Sequence, residues 1–308
     1  AVPPVSGPQP LSPPASAFAL LLAGLWGGNA PAIKAGLQDA PPLRLAGLRF
    51  LAGGIVILAW VVTTKQPLRP TRQEWRPLGW LALLFTVQIA FMNIGQDHTT
   101  ASNAVVIGNT FPLWTGLFAH FFVRGDHITA PRLAGTLIAY VGVLAVFVQS
   151  LGSGGGTWVG DALMMGSAAL LGARSVYTSL AAQRLPLPKL LLTQTVAGVT
   201  VFFVVSALIE PEPWVLTERL ALSILYQGFL IAGFGFIGNM WLLKHYLPSG
   251  VDALSLTTPI WGVLLSHLVL GEPLSPTLFL GLALVILGSA LAQWAAWRSR
   301  PAALGAAR

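Results

Sequence analysis

Polar and aromatic side chains recur inside the long apolar stretches of this sequence. Planar rings combined with amides, hydroxyls and a cation suit a ligand that has a flat apolar portion and a few hydrogen-bonding handles. A polar side chain in such a stretch can alternatively serve only to bond one helix to another, which contributes about 0.6–2 kcal/mol. The candidate substrate-binding residues are Gln88, Asn109, Thr110, Phe111, Trp114, Arg174, Tyr177, Tyr226 and Trp261.

One four-residue motif occurs twice with identical spacing. Its copies are Thr110, Pro112, Trp114 and His120, and Thr257, Pro259, Trp261 and His267. A proline inside a helix leaves a carbonyl of the preceding turn without its backbone donor and bends the helix. We therefore predict that Pro112 and Pro259 are hinges near the centres of their helices. His267 could titrate near neutral pH and gate one side of the molecule, or it could be a packing residue at a helix end.

Few features of the sequence support the hypothesis that the protein is an enzyme. A hydrolase of the membrane interior needs a nucleophile and a base that meet, whereas Ser255 and His267 would lie about 18 Å apart along one helix. The sequence contains no cysteine, no phosphate-binding lysine loop and no HExxH zinc motif. We predict no catalytic residue, no metal site and no cofactor, with an intramembrane enzyme as the alternative of a different class.

Charged residues inside the apolar stretches narrow the ligand further. Asp161 and Asp252 lie at predicted helix starts, where a carboxylate caps the helix, and no Asp or Glu lies near a predicted helix centre. A proton-exchanging exporter of cations should carry a buried carboxylate, so that mechanism is disfavoured. Phosphorylated substrates need several converging cations. Arg174 alone lies well inside a stretch, and it either pairs with one substrate carboxylate or has a structural role.

The elements that must position these residues are membrane helices. Of the 308 residues, 55% are hydrophobic and 9% are charged, whereas about a quarter are charged in soluble proteins, so a water-soluble globule is excluded. We attribute the net charge of +7 to cytoplasmic loops and predict no nucleic-acid partner. Apolar runs of about 20 residues predict ten spans. They cover residues 16–36, 43–62, 77–96, 100–123, 131–150, 158–182, 188–209, 220–246, 249–270 and 276–297.

The cations are unevenly distributed between the two sides of the predicted bundle. With the N-terminus inside, twelve of the seventeen Lys and Arg residues fall on inside segments and three on outside segments. Because cytoplasmic loops are enriched in Lys and Arg, both termini are predicted to be cytoplasmic. The prediction is a multi-pass protein of the plasma (inner) membrane.

The repeated motif divides the ten spans into two halves. Gly135 and Gly142 are seven residues apart in span five, as are Gly281 and Gly288 in span ten. Each half has five spans, so the second half must enter the membrane from the opposite side. We therefore predict an all-α membrane protein of two inverted five-helix repeats, an architecture of transporters. The predicted division is a flexible Pro-rich tail, the first repeat, a linker, the second repeat and a cytoplasmic tail, over residues 1–15, 16–150, 151–157, 158–297 and 298–308.

This arrangement resembles the drug/metabolite transporter superfamily, in its ten-helix EamA-type branch. The resemblance covers about residues 16–297 and is carried by Trp26-Gly27-Gly28-Asn29 with Lys34, by Arg49, by Pro112 and Pro259, and by Gly271-Glu272-Pro273-Leu274. Within the branch, the chain looks most like the aromatic amino-acid exporters of YddG type. The resemblance implies a ten-helix transporter made of two repeated five-helix units.

Together, the residues and the resemblance predict a transporter that exports small, largely neutral metabolites by alternating access. Aromatic or other hydrophobic amino acids are the favoured substrates. Facilitative uniport is favoured because no midplane carboxylate can carry a proton, and a proton-coupled exporter of drugs or other metabolites is the alternative. The predicted partners are a small-molecule substrate and membrane lipid, and a monomer should be sufficient for function.

Overall fold

The computed structural model describes residues 12–64, 69–122, 129–152, 157–235, 238–239, 241–242 and 254–299. All regular structure in these ranges is helical. Where both ends of a predicted span are described, the helix bounds lie within three residues of the prediction. The elements are α1 (Pro13–Gly27), α2 (Asn29–Gly36), α3 (Pro42–Thr64), α4 (Trp75–His98), α5 (Ala101–Gly108), α6 (Phe111–Phe122), α7 (Ala130–Gly152), α8 (Thr157–Ala182), α9 (Leu187–Ile209), α10 (Glu218–Leu225), a π-helix (Tyr226–Gly235), α11 (Thr258–Leu270) and α12 (Pro276–Ser299).

Six helical stretches within the described ranges are long and apolar enough to cross a membrane. Two further apolar stretches are shorter, Ala130–Val146 within α7 and Thr258–Leu270, which is α11. Large apolar side chains such as Leu208 and Phe121 are exposed on the outer surface of the bundle, as expected of helices that face lipid. The six stretches are Pro13–Gly36, Pro42–Thr63, Trp75–His98, Ala101–Phe122, Leu187–Ile209 and Pro276–Ala295.

The structure corrects the continuous helix that was predicted around each of the two repeated prolines. Two residues separate the end of α5 from the start of α6, and Pro112 is the second residue of α6. A turn at residues 256–257 likewise precedes α11, in which Pro259 is the second residue. The first N–H groups of a helix have no helical acceptor, so a proline is tolerated there. Each proline therefore begins a new helix and does not bend a continuous one; its role as a hinge stays a prediction.

The same hydrogen bonds hold the two turns. The backbone N–H and Oγ1 of Thr110 both donate to the carbonyl of Ile107, at 3.1 and 2.7 Å. The same two groups of Thr257 donate to the carbonyl of Leu254, at 3.0 and 2.7 Å. In both copies the threonine therefore satisfies a carbonyl at the end of one helical segment, and the proline starts the next helix.

The repeated glycines of α7 and α12 contact one another. Gly135 lies against Gly288, and Gly142 lies against Gly281. Rising residue numbers in α7 meet falling numbers in α12, so the two helices are antiparallel. A Cβ on Gly142 would lie 2.7 Å from the carbonyl oxygen of Gly281, so the approach of the two backbones requires glycine.

A second close contact also occurs in two copies. A Cβ on Gly27 of α1 would lie 2.7 Å from the Cβ of Trp261 on α11. A Cβ on Gly172 of α8 would lie 2.7 Å from the Cβ of Trp114 on α6. The two tryptophans are equivalent in the sequence repeat, so α1 packs on α11 in the same way as α8 packs on α6.

Candidate functional site

One end of the bundle, which we call the Lys34 end, is held together by contacts at helix termini. The Nζ of Lys34 donates to the carbonyls of Gln96 and Asp97, at 2.8 and 2.9 Å, where α4 ends. A cation at a helix C-terminus is favourable because the last carbonyls lack helical donors and carry partial negative charge. The lysine of the sequence motif therefore caps a neighbouring helix.

Glu272 caps a helix at the same end. Helix α11 stops at Gly271, which has the left-handed φ of 70° that glycine adopts without strain. The Glu272 carboxylate then accepts from the N–H groups of Ala101 and Ser102, at 2.6 and 2.8 Å, and from the Ser102 hydroxyl at 2.6 Å. His267 is exposed at the end of α11, where its Nδ1 lies 2.7 Å from the Glu272 carbonyl oxygen. Its predicted gating role stays a prediction.

Ion pairs near the two ends of the bundle join further segments. At the Lys34 end, the side-chain hydrogen bond from Arg219, supported by one from Thr217, lowers the pKa of Asp39 to about 2. At the opposite end, the Nζ of Lys189 lies 2.9 Å from Oε2 of Glu74. The backbone N–H of Thr71 and this lysine hold the pKa of Glu74 below its ordinary value. Both carboxylates are therefore bound to structural partners.

Asp161 does not cap its own helix, contrary to the sequence-based expectation. Helix α8 begins at Thr157, and Asp161 is fully buried within it. Its carboxylate accepts from the hydroxyl of Thr99 and from Nδ2 of Asn103, which belong to the connection between α4 and α5 and to α5 itself. Asp252, the other predicted cap, lies outside the described residues.

Two arginines lie inside the bundle, away from the ion pairs at its ends. Arg49 lies about 10 Å along α3 from its first residue, and its side chain is 6% exposed. One guanidinium nitrogen donates to Oε1 of Gln227 in the π-helix at 2.9 Å, and the Gln227 amide in turn donates to Ser223 at 2.8 Å. The Nε of Arg49 is buried and has no partner among the described residues. Arg49 therefore links α3 to the π-helix and keeps an unused donor.

Aromatic rings connect Arg49 to Arg174. The Arg49 guanidinium lies 4.7 Å from the Phe50 ring centroid, and the Arg174 guanidinium lies 5.1 Å from that of Phe85. The two rings meet edge to face with centroids 4.9 Å apart, and Phe202 stacks on Phe50 at 6.1 Å. A continuous series of contacts therefore runs from Arg49 through Phe50 and Phe85 to Arg174. We call Arg49, Arg174 and Phe50 with Phe85 the arginine pair site.

The charge of this site is not balanced within the described part of the chain. Arg49 and Arg174 form no ion pair there with Asp or Glu, and Arg174 makes no hydrogen bond there. Burying one ion costs several kcal/mol. A desolvated cation–π contact returns about 2 kcal/mol, and a hydrogen bond to a charged group about 1.5–3 kcal/mol. The Arg49 guanidinium therefore keeps hydrogen-bonding capacity that the described residues do not use.

Sequence reasoning selected Arg174 and missed Arg49 as its companion. The signal that could have found it was an arginine inside an apolar span, which is costly unless the side chain is satisfied or functional. Nothing in the sequence spacing shows that α4 packs against both α3 and α8 and brings Phe85 between Phe50 and Arg174, because those contacts join residues far apart in the chain.

The other predicted residues fall into three groups. On α4 and α8, Nε2 of Gln88 donates to the Ser167 hydroxyl at 2.9 Å, and the Tyr177 hydroxyl donates to the Pro77 carbonyl at 3.1 Å. Gln88 is 2% exposed. Both side chains therefore already bond one helix to another in this structure.

The second group surrounds the break between α1 and α2. The Tyr226 hydroxyl donates to the Leu25 carbonyl at 2.6 Å, and it contacts Gly28 at the break. Trp261 is 38% exposed and lies against Gly24 and Gly27 of α1. The Gly-Gly of the sequence motif therefore lies where α11 and the π-helix approach α1.

The residues of the first repeated turn are only partly accessible. Thr110 is fully buried, and Nδ2 of Asn109 donates to the Val105 carbonyl at 2.8 Å. Phe111 begins α6 and is partly buried. The ring of Trp114 meets that of Tyr140 edge to face at 5.6 Å, and its Nε1 is buried without a partner among the described residues.

A pocket of about 100 Å³ lies beside this turn, between α6, α7 and α12. Pro112, Arg132, Tyr140 and Gln293 are among the residues that line it. Ligand pockets commonly have volumes of about 300–1,000 Å³. The pocket is therefore too small for an amino acid in this structure, and Pro112 is the predicted residue that reaches it.

Two segments of the chain, residues 14–148 and 158–294, each match the EamA-like transporter family. A probable amino-acid metabolite efflux pump of Escherichia coli K12 is 28% identical over 286 residues, which cover 88% of this chain and 92% of that protein. The uncharacterized inner membrane transporter YedA of Escherichia coli K12 is 26% identical over 279 residues, which cover 87% and 86%. An uncharacterized transporter of Archaeoglobus fulgidus is 27% identical over 257 residues, which cover 80% and 86%.

The likeness extends to a solved structure. A crystal structure of a protein that is 21% identical superposes with a TM-score of 0.66, and the match covers 93% of this chain and 99% of that one. At this identity the likeness shows the fold alone. The two matched segments divide the chain near the predicted linker and together span most of its length. The chain therefore belongs to the EamA-like transporter family.

Proposed function

We propose that this membrane transporter exports small apolar metabolites by alternating access, with aromatic and other hydrophobic amino acids as the leading substrate class. The family makes the chain a transporter, and the name of the Escherichia coli efflux pump supports amino-acid metabolites as its cargo. The proposal also places the chain near the YddG-type exporters of aromatic amino acids within its family. The inner membrane is the proposed location, as the name of YedA suggests.

The observation that carries the proposal is the pair of equivalent turns at Thr110 and Thr257. Each turn separates two helical segments, and the first lies near the middle of the Ala101–Phe122 stretch. Broken helices near the midplane are where transporters of inverted repeats bind substrate. The antiparallel packing of α7 on α12 is what two inverted halves require. We propose ten crossings in two such halves, with both termini cytoplasmic.

The experiment that tests this function uses the purified protein in liposomes preloaded with unlabelled L-phenylalanine. Radiolabelled L-phenylalanine or an apolar derivative should enter by exchange and be recovered chemically unaltered, whereas an enzyme would alter it. Trp261→Ala should lower the exchange rate about tenfold if the exposed ring contacts the ligand, because the loss of about 1.4 kcal/mol is a tenfold change. Trp80→Ala is the matched control, since Trp80 is exposed near the start of α4. Equal rates for both variants would remove Trp261 from the site.

The same liposomes test energy coupling. With substrate at equal concentration on both sides, an imposed pH gradient alone should produce no net accumulation in a uniporter. Accumulation would favour the proton-coupled alternative. Asp161, the carboxylate that is fully buried within the described part of α8, would then be the first group to replace, with Asp161→Asn.

Topology gives an independent prediction. A reporter fused at Gly154 should read outside and one at Arg69 should read inside, because twelve cations fall on one side of the proposed bundle and three on the other. Alkaline phosphatase and green fluorescent protein fusions report the two sides. If both positions read on the same side, the inverted-repeat proposal fails.

A further inference from the structure

The arginine pair site changes what the substrate's charge should be. The sequence offered one cation, Arg174, and so favoured a neutral, zwitterionic substrate. In the structure Arg49 contacts the same aromatic cluster as Arg174, so the site carries two positive charges and not one. A zwitterion brings no net charge to offset the second guanidinium.

The groups around the pair favour a carboxylate over an ammonium. A guanidinium presents donors in a planar fork that matches both oxygens of a carboxylate. Arg49 keeps a buried Nε without a partner among the described residues. The half-buried Arg174 guanidinium contacts the Phe85 ring and forms no hydrogen bond within the same ranges. The acceptor that lies next to Arg49, Oε1 of Gln227, is already occupied by it. A free ammonium here would meet two like charges and no carboxylate from the described residues.

We infer that Arg49 and Arg174 together bind the carboxylate of a substrate that carries net negative charge, an apolar carboxylic acid whose amino group is absent or acylated. The inference rests on the proposed export of small apolar metabolites, and within that group it shifts the leading substrate class from free amino acids to acids without a free amino group. Phe50 and Phe85 hold the two guanidiniums by their ring faces and leave the donors free for the anion. A carrier of such a substrate without a co-ion moves one negative charge in each cycle, so its flux responds to the membrane potential.

Three probes that share one benzyl group separate the charge forms. L-Phenylalanine is a zwitterion, N-acetyl-L-phenylalanine is an anion without an ammonium, and L-phenylalaninamide lacks the carboxylate. Initial uptake into liposomes containing the wild-type protein should be at least tenfold faster for the N-acetyl compound than for L-phenylalanine. L-Phenylalaninamide should not be carried. With valinomycin and K⁺ tenfold higher outside, the N-acetyl compound should accumulate up to about tenfold inside.

Variants assign the effect to the pair. Arg174→Gln should lower the uptake of N-acetyl-L-phenylalanine at least tenfold, and Arg174→Lys should retain part of its preference over L-phenylalanine because the charge remains. Arg49→Gln should act in the same direction. Arg76→Gln is the matched control, because it removes one positive charge at an exposed position in the first turn of α4. Monodispersity and melting temperature are measured for each variant, and Arg174→Gln carries the test if Arg49→Gln does not fold.

The outcomes separate the inference from the proposed function. The inference is wrong if L-phenylalanine is taken up faster than N-acetyl-L-phenylalanine, or if uptake of the N-acetyl compound does not depend on the membrane potential. Either result leaves the transporter proposal intact. Unchanged uptake in folded Arg174→Gln also overturns the inference. If folded wild-type protein carries none of the three probes, the proposed substrate class fails together with the inference.

Discussion

Replacing Gly27 with alanine should force α1 and α11 apart and lower the melting temperature and the monodisperse yield markedly. The new Cβ would lie 2.7 Å from the Cβ of Trp261 and 2.8 Å from the backbone nitrogen of Gly262, closer than the 3.0 Å that real Cβ atoms keep. Backbone atoms cannot rotate aside, so the helices themselves must shift. Overpacking costs about 1–3 kcal/mol and occasionally more, a large share of a total stability of about 5–15 kcal/mol. Monodisperse yield and melting temperature in detergent measure the loss.

The repeat supplies both a companion and a control for this variant. Gly172→Ala should behave like Gly27→Ala, because its Cβ would meet Trp114 at the same 2.7 Å. Gly79→Ala should be harmless, since its Cβ would meet nothing within 4 Å and alanine is favoured over glycine in a helix by about 1 kcal/mol. If Gly27→Ala and Gly172→Ala both have the melting temperature of the wild-type protein, the helices relax at little cost and the prediction is wrong.

The parts of the fold that were predictable from sequence are those encoded locally. A threonine two residues before a proline encodes a helix end and a helix start within a few residues, and the apolar runs mark the spans closely. The turn itself was read as a bend, because the sequence shows where a proline lies and not whether the hydrogen-bond ladder resumes across it. Thr110 and Thr257 settle that point by closing the preceding segment with their own side chains.

The contacts between helices were much less predictable. Apolar side chains on all faces of a membrane helix give little information about which face turns inward, because lipid is as apolar as the bundle interior. Arg49 and Gln227 are 178 residues apart in the sequence and meet at 2.9 Å. A glycine indicates a close helix contact only when the residue that it faces is known. The spacing between Gly135 and Gly142 equals that between Gly281 and Gly288, which indicated a repeat but did not show that the two pairs are in contact.

Glu272→Ala should lower the melting temperature markedly, because it leaves the start of α5 without its cap. The N–H groups of Ala101 and Ser102 have no helical acceptor, and Glu272 accepts from both across 171 and 170 residues of sequence. The Thr100 hydroxyl accepts from the N–H of Asn103 and its carbonyl from that of Ala104, so neither reaches Ala101 or Ser102.

Losing a charged acceptor and leaving two backbone donors unsatisfied should cost about 2–3 kcal/mol in the free energy of unfolding. Glu272→Gln should restore part of the loss, since one carbonyl oxygen remains to accept. Glu212→Ala removes a carboxylate from an exposed position before α10 and should leave the melting temperature unchanged. If Glu272→Ala has the same melting temperature as Glu212→Ala, the Glu272 carboxylate does not hold α5 to the end of α11. If it melts well below that control, the Gly271-Glu272 pair joins the start of α5 in the first half of the chain to the last turn of α11 in the second half.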